Sequence, residues 1–376
     1  MNKKYNGTGK ACAAMKTDTI TSNVRGGDKS DATVRKRIFC FDYLRVAAAV
    51  MVVMLHTITP ALSSASLYGT TTFFCAVFLD SICRAGVPLF FMMSGYLALT
   101  SPATDDLGRF YKKKAVRILV PLFIWNVIFF FFSNINSFGT ESFSLRAFIT
   151  QVINNGTFYH LWFLYTLFAL YLFAPFIKKI TDNCSDKKLF IFFLISIFPC
   201  TIRPFLNTVT PLYFNLFDVF TAGYGGFFIF GLLLSRIKLS RGARFAVYVL
   251  GVLGLVMGAV GNIYFSSAEK INLVFNMGYS LNHYLTAGAL FTFFWNIKFP
   301  ENHGDSALYK CVSLFGGISF GVYLVHPMIL ESVTEKIEIT GNFAVVGGVR
   351  FILTLAVSSL VSVVIYKIKI LRKFLM

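Results

Sequence analysis

Arg45 and His56 lie eleven residues apart in FDYLRVAAAVMVVMLHT, a stretch that is otherwise almost wholly apolar. On an α-helix eleven residues turn the chain by about 1100°, roughly 20° beyond three full turns, so both side chains share one face some ~16 Å apart along the axis. Asp42, three residues before Arg45, is placed to pair with it. A neutral imidazole is the readiest general base near pH 7. A guanidinium on the same face can hold an anion or stabilise developing negative charge. A plainer reading stands beside this one. Asp42 and Arg45 also suit interfacial anchors, and His56 a histidine bonded to a neighbouring helix.

A second apolar stretch holds Asp80 and Arg84 at i and i+4, followed by Gly86, Pro88 and LFFMMSGYL. The two charges can neutralise each other within one helix. Ser94-Gly95 is ordinary helix-packing chemistry in membranes and lacks the flanking glycines of a nucleophile elbow. Further on, YKKKAVR places Lys113, Lys114 and Arg117 at the start of a third apolar run. Such a cluster orients a membrane protein, and it also suits the phosphates of a nucleotide cofactor. His160 opens a fourth run in YHLWFLYTL, beside Trp162 and Tyr165; His283 begins a later one, and His326 lies in YLVHP. His160 and His283 equally suit an interfacial polar ring. His303 falls between two apolar runs.

These residues need elements to position them, and the composition specifies which. Of 376 residues 56% are hydrophobic and 14% charged, more apolar surface than a soluble domain can hide. The expected class is an all-α integral membrane protein, a bundle of about ten transmembrane helices. The expected spans are roughly 38–60, 73–99, 115–135, 160–177, 188–202, 219–235, 245–265, 280–297, 308–332 and 344–366. The run Phe129–Phe132 suits lipid-facing or helix-packing surface. Residues 1–37, polar and with nine Lys or Arg, read as a disordered tail and not as a signal peptide. Residues 367–376 read as a basic C-terminus.

The net charge of +18 raises nucleic-acid binding as a reading, but the positions of the charges argue against it. Residues 61–72 have no Lys or Arg, residues 109–117 have five, and the next loop has only Arg146. Lys178, Lys179, Lys187 and Lys188 follow, then Arg203 alone, then Arg236, Lys238, Arg241 and Arg244. The alternation continues through Lys270, then Lys298 and Lys310, then Lys336, to a basic end. This is the positive-inside pattern, and it predicts both termini in the cytoplasm and contact with anionic lipids. Seven scattered cysteines form no CxxC pair and no Cys/His cluster, so neither a metal nor a disulfide framework is expected.

FDYLR with His56, VPLFFMMSGYL, KKKAVRILVP, HLWFLYTLFALYLFAP and ISFGVYLVHP, in this order, resemble the acyltransferase family three membrane proteins. The resemblance covers about residues 38–366. It implies transfer of an acyl group, most often acetyl, from acyl-CoA to a hydroxyl of an envelope glycan or other small acceptor, at a bacterial inner membrane. It carries the first-span catalytic pair onto Arg45 and His56, and the basic pair before the third span onto Lys114 and Arg117. On that reading Asp42 and Arg84 support the pair, and Lys113, Lys114 and Arg117 bind the acyl-CoA. His160, Trp162 and His326 line the acceptor side, and no metal takes part. The apolar runs end near residue 366, so the expectation is a stand-alone unit without the esterase-like or racemase domains of some members.

Two rival readings remain at this stage. An exporter of a glycan or anionic small molecule would also need intramembrane charges and a kinked second span, although the internal repeat common in transporters is missing. The unrelated membrane-bound O-acyltransferase group uses a histidine in a late apolar helix, which would make His326 essential and His56 replaceable.

Overall fold

The computed structural model describes residues 39–137, 139–154, 156–209, 223–299, 306–336 and 342–376. The tail 1–37 and His303 lie outside the described residues. Among them the secondary structure is helical, and the helices follow the apolar runs: α1 (Phe39–Ser63), α2 (Thr71–Cys83), α3 (Gly86–Leu99), α4 (Leu107–Asn134), α5 (Leu145–Ile153), α6 (Trp162–Asp182) and α7 (Asp186–Val209). Then come α8 (Gly225–Arg236), α9 (Arg241–Phe265), α10 (Leu281–Asn296), α11 (Ala307–Lys336), α12 (Phe343–Lys367) and α13 (Lys369–Leu375).

Among the described residues, seven helical segments are long and apolar enough to cross a membrane: Phe39–Ser63, Thr71–Leu99, Leu107–Ser137, Trp162–Asp182, Arg241–Phe265, Ala307–Ser332 and Val345–Lys367. The fifth, sixth and eighth expected spans fall outside this set. The reason is physical for two of them. α8 has 12 residues and α10 has 16, about 18 and 24 Å of helix against a hydrocarbon core of about 30 Å.

Local sequence sets the boundaries. Thr70, Asp106, Ser144 and Ser240 each accept a hydrogen bond from a backbone N–H three residues on, capping α2, α4, α5 and α9. The second expected span is not one kinked helix but two. α2 ends at Cys83 and α3 restarts at Gly86, where a Cβ would come within 2.9 Å of the Ala48 carbonyl oxygen of α1. The charged start of the third run is helical too, so α4 begins at Leu107 rather than near residue 115.

Close crossings hold the bundle. Gly95 of α3 and Gly231 of α8 interlock, since a Cβ on either would overlap the backbone carbonyl of Phe228 or Met92 opposite. Gly254 and Gly258 let α9 lie against α10, where a Cβ would meet Leu285 Cβ at 2.7 Å or Asn282 Nδ2 at 2.8 Å. Such small-residue contacts replace the hydrophobic drive that lipid does not supply. The Phe run divides its labour: Phe129 is buried and stacks on Phe158 with centroids 4.3 Å apart, whereas Phe131 is exposed.

Candidate active site

A cavity of about 530 Å³ opens between α1, the α2–α3 break, the turn before α6, the start of α8 and the end of α11. His56 and Arg84 line it, as do His160 and Trp162. The rings of His56 and His326 lie 5.3 Å apart, centroid to centroid, tilted by 30°. The His160 ring packs 5.8 Å from that of His326, centroid to centroid. Three histidines from widely separated positions therefore converge on one point.

Each is placed by identifiable contacts. His326 Nδ1 lies 2.7 Å from the Tyr323 carbonyl and 3.2 Å from that of Val322. A carbonyl only accepts, so Nδ1 carries the hydrogen and Nε2 keeps its lone pair. Nε2 is buried and has no partner among the described residues. His160 sits in a turn that Gly156 makes possible with φ +107°. Asn126 of α4 ties this turn down: its Oδ1 accepts from Thr157 N at 2.9 Å, and its backbone carbonyl accepts from Thr157 Oγ1 at 2.9 Å. The Tyr323 hydroxyl donates to the His160 carbonyl, which clamps the same turn to α11.

Arg84 stands at the break between α2 and α3. Its Nε donates to Asp80 Oδ2 at 2.8 Å and its Nη1 to the Asn276 carbonyl at 2.9 Å. Asn276 is held in turn, its Oδ1 accepting from Asn262 Nδ2 at 2.6 Å. Asp80, Asn262 and Asn276 are all buried, so the guanidinium is fixed by a buried polar network rather than by Asp80 alone. Trp162 faces Tyr224 at 4.9 Å, and Tyr224 faces Phe91 at 4.8 Å, forming an aromatic wall.

Other expected site residues lie elsewhere. Arg45 and Asp42 pair at 3.0 Å near the opposite end of α1 and do not line the cavity. Lys113 and Arg117 are exposed on α4, and Lys114 lies 3.6 Å above the Tyr171 ring; none of the three lines the cavity. The Tyr165 hydroxyl donates to the Val152 carbonyl and accepts from Asn126. His283 is buried in α10 beside Asn282, not set in an interfacial ring.

Among the cavity residues that the sequence did not single out are Tyr159, Tyr224, Tyr323 and Glu331. Tyr323 carried a signal, since it stands three residues before His326 on the same helix face. Glu331 carried one as well, a carboxylate at the end of an apolar run. Tyr159 and Tyr224 carried none.

A family model described as an acyltransferase domain matches residues 38–367. Over 131 residues the chain is 30% identical to an amino-acid racemase of Enterococcus faecalis, a match covering 33% of this chain and 16% of that protein. The chain thus spans about a sixth of the length of that relative. No solved structure matches it.

Proposed function

The chain belongs to acyltransferase family three, and from that premise we propose that it transfers an acyl group, most often acetyl, from cytoplasmic acyl-CoA to a hydroxyl of an envelope glycan or other small acceptor. The observation that supports this reading best is the meeting of His56, His160 and Arg84 at one aromatic-walled cavity, with His326 packed against both histidines behind it. His56 takes the proton from the acceptor hydroxyl as that oxygen attacks the thioester carbonyl. Arg84 faces the oxyanion that forms. The intermediate collapses with cleavage of the C–S bond, and the departing thiolate takes the proton from the imidazolium. Trp162 and Tyr224 offer ring faces on which an acceptor sugar stacks.

The donor side of this reading uses Arg45 and the Lys113, Lys114 and Arg117 cluster for the phosphates and pantetheine arm of acyl-CoA. Asp42 orients Arg45 through the 3.0 Å pair. The reading also places the helical bundle in an inner membrane with both termini cytoplasmic, which keeps the donor inside and leaves the cavity towards the outer half. His326 supports a second role: packed 5.3 Å from His56, it holds that ring at the cavity.

The test uses inside-out vesicles, acyl-labelled acetyl-CoA and an envelope extract as acceptor, with thiol release and label transfer followed together. Transfer that His56→Ala abolishes at equal expression supports the reading. Equal transfer by both forms refutes a base at His56 and moves the chemistry to His326. A folded preparation that moves a glycan without turning over any acyl-CoA would favour the exporter.

A further inference from the structure

The pair at the inner end of α1 has a third member that comes from the far end of the chain. Ser306 Oγ accepts from Tyr309 N at 3.1 Å, capping the first turn of α11 and fixing where Tyr309 leaves it. The Tyr309 ring is buried edge-on against Phe39, with centroids 4.7 Å apart and planes at 82°. Its hydroxyl donates to Asp42 Oδ2 at 2.7 Å. The other carboxylate oxygen, Oδ1, accepts from Arg45 Nη1 at 3.0 Å.

This carboxylate has no exposed surface, whereas the Arg45 side chain keeps 32% of its own. The helices are nearly in backbone contact here, since a Cβ on Gly316 of α11 would lie 3.3 Å from Asp42 Cα and Cβ. An i, i+3 pair on one helix is enough to neutralise the two charges. One bond to one oxygen does not by itself restrict rotation of a carboxylate about its own axis. A second donor on another helix removes that freedom, as charge-assisted hydrogen bonds to both oxygens fix the carboxylate plane.

We propose that Tyr309 is a positioning residue for the donor end of the reaction: through Asp42 it sets the direction in which Arg45 meets acyl-CoA. This rests on the reading above that Arg45 contacts the donor. Tyr309→Phe removes only the hydroxyl and keeps the ring against Phe39.

The experiment measures binding of coenzyme A to the full chain in detergent micelles by calorimetry, with the thermal midpoint of the same samples. The variants are Tyr309→Phe, Arg45→Ala and the two combined. Tyr309→Phe is expected to weaken binding roughly three- to tenfold, because the lost bond acts on the donor only indirectly, through Asp42 and Arg45. KM for acetyl-CoA rises in step, while kcat for label transfer to an envelope extract stays within about twofold. In the Arg45→Ala background Tyr309→Phe changes nothing more. Unaltered binding by Tyr309→Phe, or effects that multiply in the double variant, would overturn the link between Tyr309 and Arg45. Normal binding by Arg45→Ala would overturn the donor role of Arg45 itself, and with it the link. Should Tyr309→Phe fail to fold, Asp42→Asn keeps an acceptor for the hydroxyl, weakens the Arg45 pair and is read on coenzyme A binding alone: weaker binding is expected, and unaltered binding would overturn the link.

Discussion

Arg84→Lys separates the charge of the cavity cation from its orientation. The guanidinium makes two bonds, to Asp80 Oδ2 at 2.8 Å and to the Asn276 carbonyl at 2.9 Å, and still borders the cavity. A lysine ammonium is one point charge on a flexible stem. It cannot span the carboxylate and the carbonyl while also presenting a donor to the cavity. The substitution keeps the charge and removes one charge-assisted hydrogen bond, worth about 1.5–3 kcal/mol. If that bond serves the transition state, the loss in kcat/KM is about 10- to 150-fold at roughly 1.36 kcal/mol per decade. Thiol release from acetyl-CoA in inside-out vesicles gives the rate, with expression and thermal midpoint as controls. Arg84→Ala, which leaves Asp80 buried without its partner, should lose more and also lower the midpoint. Activity of Arg84→Lys within about threefold of the original, at equal folded protein, would refute the idea that a fixed guanidinium serves the reaction.

Four other outcomes follow from the same geometry. On the proposed reading His56→Ala and His326→Ala are each expected to lower label transfer by about 10²- to 10⁴-fold, and the double variant by little more than the worse single one, the signature of two rings that act as a unit. Asn126→Leu leaves the Thr157 N–H unsatisfied and frees the turn carrying Tyr159 and His160; a lower melting midpoint, from a loss of about 1–3 kcal/mol, should accompany reduced kcat. Gly156→Ala forces a non-glycine residue to φ +107° and costs about 1–2 kcal/mol, read as reduced midpoint in detergent. Gly95→Ala drives α3 away from α8 and should cost about 1–3 kcal/mol or more, whereas Gly347→Ala on α12, which meets nothing within 4 Å, should be close to neutral in the same measurement.

Particular residues show how far reading the chain alone could go. Asp42 with Arg45 and Asp80 with Arg84 were predictable as pairs, because partners three or four residues apart meet on any helix. The break at Arg84 was foreshadowed by Gly86 and Pro88 but not its completeness, because it depends on how closely α3 approaches Ala48. The histidines were visible as ionisable groups in apolar surroundings. Their convergence was not, since His56 and His326 are brought together by the packing of α1 on α11.

The sequence by itself determined the class of the molecule and where its long apolar helices run. Apolar length, loop charge and helical period are local quantities, and lipid leaves the backbone no alternative to helix in a single span. It also determined which side chains were costly enough in such surroundings to need a reason. Only the tertiary structure decided the grouping: Arg84, His56 and His160 around one cavity with His326 packed behind them, Arg45 at the other end of α1, and Tyr309 reaching Asp42 across 267 residues. Those contacts depend on where two helices cross, and crossings are fixed by pairs of small residues such as Gly95 and Gly231, whose partners lie far away in the chain.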